Sequence, residues 1–490
     1  MLSTSLLSLL ALISLATADQ PVHVPLSRRS VHFRNVDGSI NTDRLGNHAA
    51  LLRGKYGFGI SNSTKMVKKR ASSAGIGIIN QERDSSYLGS VSLGTPPQTF
   101  NVVLDTGSSD FWLASTQCTS CSIGTPAYDP SKSSSFKQST NALGQAQSTN
   151  IRYGSGEVAG IIAAETVSMG GFTVPSQTML VATDLSSGLL DGDAAGIMGL
   201  AFSALAATRA TPFWEALLNG NQLTDPEMSF WLTREVDNAR AQQDEFGGVF
   251  TLGGTNSTLF QGDIEFLDMP AATQPTFWLL NLSGATVGGK AISLPSSDSP
   301  LSAIDTGTTL IGGPSASVQA IYAQVPGSQE LTGNMAGFFA YPCTQDISVA
   351  ISFGGKTWPI SSADMNLGSV GNGFCLGGIF DLTLGSNVGS GGGNPSWVVG
   401  DTFLKNVYSV FRANPPSIGF AQLSDSAGGS SGSPVAASGF LTASATFTQS
   451  GVPLPSGTTG SSGTSGASTT SASFGVVSFV LATLVSAFLL

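Results

Sequence analysis

The residues of this chain best suited to chemistry are two aspartates in matching surroundings. Asp105-Thr106-Gly107-Ser108-Ser109 and Asp305-Thr306-Gly307-Thr308-Thr309 share one pattern, each after an apolar run. Average residue usage gives about 0.1 Asp-Thr-Gly triplets by chance in a chain this long. Paired carboxylates are a standard arrangement for general acid and base work. Held a few ångströms apart, they cannot both ionise easily, so the pair keeps one proton over an acidic range. The ionised member can take a proton from a bound water while the protonated member polarises a carbonyl. That chemistry is hydrolysis, with no covalent enzyme intermediate and no metal or cofactor. Gly107 and Gly307 let the backbone approach closely at each turn.

The repeat is longer than the two pentapeptides. Gly199 closes the apolar run Gly196-Ile197-Met198, and Gly400 closes Trp397-Val398-Val399. Gly199 follows Asp105 at nearly the interval at which Gly400 follows Asp305. Runs of this kind read as buried strands. The spacing implies two equivalent lobes about a pseudo-twofold axis, which sets like carboxylates face to face. Histidine narrows the chemistry. The chain's three are His23, His32 and His48. A chain matured beyond them has no Ser-His-Asp triad, no Cys-His pair and no His-ligated zinc.

The elements that must position these loops are strands. Tyr87 to Gly94 alternates and ends at the turn Thr95-Pro96-Pro97, and Phe100 to Leu104 runs into Asp105. Short helices are expected near Thr211 to Leu218 and from Asp401. Residues 85–424 exceed what a single core usually serves, so two lobes are expected. The fold class is mostly β with many turns.

The ends differ from this body. Residues 1–18 run through an apolar stretch to Ala16-Thr17-Ala18, a secretory signal peptide. Residues 19–70 hold ten Lys or Arg against three Asp, whereas the chain from Ala71 holds eleven against 28 Asp or Glu. A basic segment before an acidic body reads as a prosegment docked by charge and ended by Lys68-Lys69-Arg70. Acidification would weaken that docking and charge its histidines. Residues 425–473 are a Gly/Ser/Thr-rich stalk. Residues 474–490 are an apolar tail that completes a GPI-attachment signal, with cleavage among Gly460 to Ser468. Export suits disulfides. Four cysteines allow three pairings, of which Cys118 with Cys121 and Cys343 with Cys375 is the local one. Asn256 and Asn281 head glycan-acceptor sequences.

Several motifs in order carry a resemblance. They are Gly94-Thr95-Pro96, Asp105 through Trp112, Tyr153-Gly154-Ser155-Gly156, Gly196 through Ala201, Asp305 through Leu310 and Trp397 through Phe411. With them the chain resembles a pepsin-like aspartic endopeptidase of the fungal, GPI-anchored, yapsin-like type. The resemblance implies two β lobes over residues 71–424, the N-lobe about 85–255 and the C-lobe about 256–424, with a substrate cleft between them. It makes Asp105 and Asp305 the catalytic dyad, cutting internal peptide bonds at acidic pH. Thr106 and Thr306 would cross-link the two loops, and Ser108 and Thr308 would orient the outer carboxylate oxygens. Tyr153, Gly154 and Ser155 would form the tip of a substrate-covering flap, with Trp112 bracing the tyrosine. Lys55-Tyr56 resembles the prosegment pair that plugs the cleft of zymogens. The implied partners are polypeptide substrates, the chain's own prosegment as an intramolecular inhibitor, and membrane or cell wall through a GPI anchor. A monomer is expected, without nucleic acid.

The chain also departs from familiar pepsins. Asp110 stands where Asn is usual. Ala194 and Ala195 replace a bulky aromatic and Asp, which is expected to enlarge the pocket beside the dyad. Glu157, Asp191 and Asp193 near the cleft would favour basic substrate residues. Ser155, however, occupies the flap position where Asp would bind one, so hydrophobic residues around the cut are expected. The rival readings are a catalytically silent binding protein on the same fold and a cell-wall adhesin suggested by the stalk.

Overall fold

The computed structural model describes residues 22–29, 39–58, 84, 86–153, 156–190, 192–236, 238, 245–384 and 394–437. The signal sequence, the processing site, the GPI tail, and Gly154, Ser155 and Asp191 lie outside the described residues. The chain is mostly β, as its alternating runs and turn residues imply.

Upstream of the body are strand β1 (Val22–Arg29) and helix α1 (Thr42–Lys55). The first half of the body contains β2 (Ser86–Leu93), β3 (Gln98–Asp105), β4 (Phe111–Ala114), β5 (Ser148–Tyr153), β6 (Gly156–Met169), β7 (Phe172–Leu185) and β8 (Ala194–Gly199). Then come β9 (Glu227–Leu232), β10 (Phe246–Leu252), β11 (Phe260–Asp268), β12 (Leu279–Asn281), β13 (Leu301–Ile304), β14 (Ile311–Gly313), β15 (Ile379–Asp381), β16 (Trp397–Val399), β17 (Val407–Ala413) and β18 (Pro416–Leu423). Helices stand at Phe213–Asn219 and Asp401–Leu404, close to the two expected positions.

The repeat read from spacing is a repeat of sheet topology. In the first half β3 lies parallel to β8, β8 antiparallel to β4, and β4 parallel to β7. In the second, β13 lies parallel to β16, β16 antiparallel to β14, and β14 parallel to β15. The register sets Asp105 opposite Gly199. The Asp305 N–H donates to Val399 O, 3.0 Å, just before Gly400. Both glycines are needed for room. A Cβ at Gly199 would lie 2.6 Å from Ser109 Cα, and one at Gly400 would run into the Thr308 carbonyl oxygen. Gly400→Ala is therefore expected to cost about 3 kcal/mol or more, because backbone cannot yield as a side chain can. A thermal melt with an unchanged midpoint would contradict this.

The two halves share one apolar core in which Leu104, Met198, Trp278, Ile304, Val399 and Phe411 are buried. They also share a sheet. The 14-stranded sheet runs β11-β18-β17-β9-β10-β1-β2-β3-β8-β4-β7-β6 and ends in the short pair of residues Lys137–Gln138, with β5 on β6. Strands from the second half thus continue a sheet that begins in the first.

The segment expected to dock by charge docks by two further means. Strand β1 is central in the sheet, antiparallel to β10 on one side and β2 on the other. Helix α1 buries Leu45, Ala49 and Leu52 in a cluster with Leu310, Phe338, Leu376 and Phe380, joined by Tyr56 and Phe58 just beyond it. At the other end, the first residues of the expected stalk pack on the body. Trp231 Nε1 donates to Ala427 O at 3.0 Å, and Val435–Ala436 pairs with Lys356–Thr357. Small hydroxyl residues there cap backbone groups, as when Leu423 N–H donates to Ser430 Oγ at 2.8 Å.

Candidate active site

Each aspartate ends an apolar strand and turns into its glycine. Asp105 and Asp305 are both buried. Gly107 N–H donates to Asp105 Oδ1 and Gly307 N–H to Asp305 Oδ1, both at 2.8 Å. Ser108 Oγ donates to Asp105 Oδ2 and Thr308 Oγ1 to Asp305 Oδ2, both at 2.6 Å. The two donor sets match, as the duplicated motif implies. Turn residues that serve locally elsewhere here converge on carboxylates.

The threonines between join the halves. Thr106 N–H donates to Thr306 Oγ1 at 3.1 Å, and Thr306 N–H to Thr106 Oγ1 at 3.0 Å. Thr106 Oγ1 then donates to Ile304 O (2.8 Å) and Thr306 Oγ1 to Leu104 O (2.6 Å). The N–H and hydroxyl of both threonines are paired, so the cross-link can hold the loops in one geometry. The approach is close enough that a Cβ on Gly107 would lie 2.5 Å from Asp305 Cγ, and one on Gly307 would strike Asp105.

Lys55 occupies the space before the pair. Its Nζ lies 2.7 Å from Asp305 Oδ2 and 3.3 Å from Asp105 Oδ1. The Tyr56 hydroxyl donates to Asp305 Oδ2 at 2.6 Å, and its ring packs on Phe277 at 5.7 Å. Two residues before Lys55, the Arg53 guanidinium donates to Asp381 O (2.6 Å) and Ala336 O (3.2 Å) and lies over the Phe380 ring.

Electrostatics splits the two carboxylates. Burial raises Asp105 to about 6, with Lys55 opposing the shift and the charge of Asp305 adding to it. Burial also works to raise Asp305, but Lys55, a hydrogen bond from Asp105 and the Thr308 hydroxyl hold it well below the usual carboxylate range. With Lys55 in place the shared proton favours Asp105. These affinities belong to the pair rather than to either residue alone.

The residues expected to form a flap are placed as follows. The Trp112 Nε1–H donates to the Tyr153 hydroxyl at 2.7 Å. Burial and the charges of Asp110 and Asp105 push the Tyr153 phenol well up, so it is neutral at any working pH. Tyr153 pairs with Gly156 across the β5–β6 hairpin, and Gly154 and Ser155 between them lie outside the described residues. Glu157 meets Arg152 of the same hairpin, Nε to Oε2 at 3.3 Å, so its carboxylate already faces a cation. Asp193 is exposed.

One expectation needs revising, and one departure gains a role. Ala194 and Ala195 are fully buried in β8 among core side chains, so their small size serves strand packing rather than an enlarged cleft. Asp110 is a tie within the first half. Its carboxylate accepts the N–H groups of Ala207 (2.8 Å) and Thr208 (3.0 Å), with the Thr208 hydroxyl on the same oxygen. An Asn amide would turn a donor toward one of these donors.

Cys118–Cys121 and Cys343–Cys375 are disulfides, the local pairing of the three possible. Asn256 heads an exposed turn in which its Oδ1 accepts from Thr258 N–H at 3.1 Å, and Asn281 is half-buried at the end of β12. Arg53 and Phe58 were not singled out in the sequence. The apolar i, i+4, i+7 spacing of Leu45, Ala49 and Leu52 is the signal that could have marked the docking helix leading to them.

Comparison with known proteins agrees with this arrangement. The family model described as eukaryotic aspartyl protease matches residues 86–423. The chain is 36% identical to major aspartyl peptidase 1 of Cryptococcus neoformans var. grubii, over 87% of this chain and 90% of that protein. It is 32% identical to an aspartic protease of Phaffia rhodozyma, over 82% and 91% of the two chains. It is also 32% identical to human gastricsin, over 69% and 81%.

Proposed function

Because this chain belongs to the eukaryotic aspartyl protease family and is an aspartic endopeptidase, we propose that Asp105 and Asp305 are its catalytic dyad and that it works in acid. The observation that carries this reading is that the two halves bring these carboxylates within reach of a single ammonium, each in the same set of donors. With the prosegment gone, a water takes the place of Lys55 Nζ. The ionised carboxylate takes its proton as the water adds to the scissile carbonyl, which the protonated carboxyl polarises. The tetrahedral intermediate collapses with proton return to the leaving amine. Ser108 and Thr308 keep the outer oxygens oriented, and the Thr106–Thr306 cross-link keeps the carboxylates together. The flap carrying Tyr153 closes over the peptide and excludes water.

Residues 39–58 are the inhibitory part of the prosegment in this reading. Lys55 and Tyr56 cover the dyad, and α1 with Phe58 fills apolar surface beside it. The apolar surroundings of Tyr56 and Phe58 support hydrophobic rather than basic residues around the cut. The chain enters the secretory pathway, matures after Arg70 and acts as a monomer at the cell surface on a GPI anchor of the yapsin-like kind. The signal, dibasic and tail residues behind that part of the proposal lie outside the described residues.

The test is cleavage of a peptide library by the acid-activated chain. Hydrophobic residues on both sides of the cut and inhibition by pepstatin are expected. A strict dibasic profile would overturn the specificity. No cleavage, with Asp105→Asn indistinguishable from the parent, would favour the silent binder.

A further inference from the structure

The flap must be held somewhere other than at its tip. Pairing of β6 with β7 ends at Val158 opposite Leu185, so beyond it the hairpin projects as a two-stranded ribbon. A ribbon of two strands is marginal on its own. One brace is the Trp112–Tyr153 hydrogen bond on β5. A second lies on β6, where Glu157 and Ser186 exchange two hydrogen bonds. Glu157 N–H donates to Ser186 Oγ at 2.8 Å, and Ser186 N–H donates to Glu157 O at 2.9 Å. Gly156, at φ +141°, stands so close that an added Cβ would sit 2.6 Å from Ser186 Cβ.

Ser186 is fixed in turn by the residues before it. Leu185 N–H donates to Ser120 Oγ at 2.7 Å, and the Ser120 hydroxyl donates to the Asp184 carboxylate. Thr119 N–H donates to Thr183 O at 3.1 Å. Thr119 and Ser120 are the two residues enclosed by the Cys118–Cys121 disulfide, which fixes the loop presenting both groups. Beneath this chain of contacts Ile151, Val158, Leu185 and Leu189 are buried with Trp112, and both cysteines pack against them. A continuous path of bonded groups thus leads from the disulfide loop to Glu157 on β6, two residues from the tip.

We propose that Ser186 is a positioning residue for the flap, and that the Cys118–Cys121 loop acts through Ser120 to set where Ser186 stands. The position of Tyr153 is then fixed from a place that touches neither the substrate nor the carboxylates. The kinetic consequence rests on the proteolytic reading above, whereas the mechanical one does not.

The test uses the full chain and its acid-activated form with Ser186→Ala, Ser120→Ala, the double variant and Ser120→Thr. Ser186→Ala is expected to raise KM for a long peptide about fivefold with kcat within about twofold, the pattern of lost binding rather than lost chemistry. Ser120→Ala raises KM less, and Ser120→Thr, which keeps the hydroxyl, restores it. The double variant is no worse than Ser186→Ala, because both residues belong to one path. Amide exchange in the full chain should quicken across residues 151–158 in both alanine variants and stay unchanged in β3. This arm reads out even if no peptide is cleaved. Unchanged exchange at 151–158, unchanged KM in Ser186→Ala, or additive losses in the double variant would each overturn the proposal.

Discussion

Asp105→Asn and Asp305→Asn are each expected to lower kcat for peptide hydrolysis about 10³-fold or more. Either change removes the exchangeable proton site that the pair needs, since an amide neither takes a proton from water nor returns one. The new NH₂ group also meets donors. At Asp105 it faces either Gly107 N–H or the Ser108 hydroxyl, and at Asp305 either Gly307 N–H or the Thr308 hydroxyl, according to which oxygen it replaces. The double variant should be scarcely worse than either single one, because two groups that act as a unit are lost once. Initial rates at acid pH give the comparison. Substantial activity in either single variant would mean that the carboxylates do not act together.

Lys55→Ala is expected to abolish latency in the precursor. It removes the one cation among the described residues that faces both carboxylates, from a side chain only 11% exposed. Deleting one partner of a buried ion pair costs about 3–5 kcal/mol when the remaining charge stays ionised. The cost here depends on pH. Asp105, whose affinity for a proton is raised by burial to about 6, contributes stability below the ordinary carboxylate range, and this is lost as pH rises through about 6. Asp305, held low, contributes stability above the ordinary range that is lost only as pH falls far below it. At pH 7 Lys55 keeps the parent pair ionised; without it burial raises Asp105 further, so the variant pair keeps a proton and forfeits the ion pair. At pH 5 the parent pair holds a proton as well and the loss is smaller. Thermal melts of the precursor at both values should differ from the parent more at pH 7. Equal destabilisation at both pH values, or full latency at pH 7, would count against Lys55 as the plug.

What could be read in the residues, and what could not, follows from where the physical signal lies. The meeting of Asp105 and Asp305 was legible because its signal sits in residue type. Only Gly permits the approach at 107 and 307, and the hydroxyls at 106, 108, 306 and 308 have few other uses beside a buried carboxylate. The sheet repeat was legible through the spacing of Gly199 and Gly400, which proved to be places where no Cβ fits. Strand β1 was not. Its place in the sheet is made by backbone pairing, and Pro25 within it argues against a central strand. The docking of α1 was obscured by the charge contrast, although the apolar spacing was present. Ala194 and Ala195 misled because a small residue in a wide pocket and a small residue in a tight core look alike in a sequence. The Asp110 tie and the path from Ser120 to Ser186 depend on contacts between distant segments, which residue types alone do not encode.

The central claim is that two carboxylates from the two halves hold one proton between them and do chemistry only in that state. The pH dependence of kcat/KM for the acid-activated enzyme tests it most directly. A bell is expected, with an acid limb where the pair gains a second proton and lacks a base, and a basic limb where it loses the shared proton and lacks an acid. A rate that climbs to a plateau toward neutral pH, with no basic limb, would contradict it.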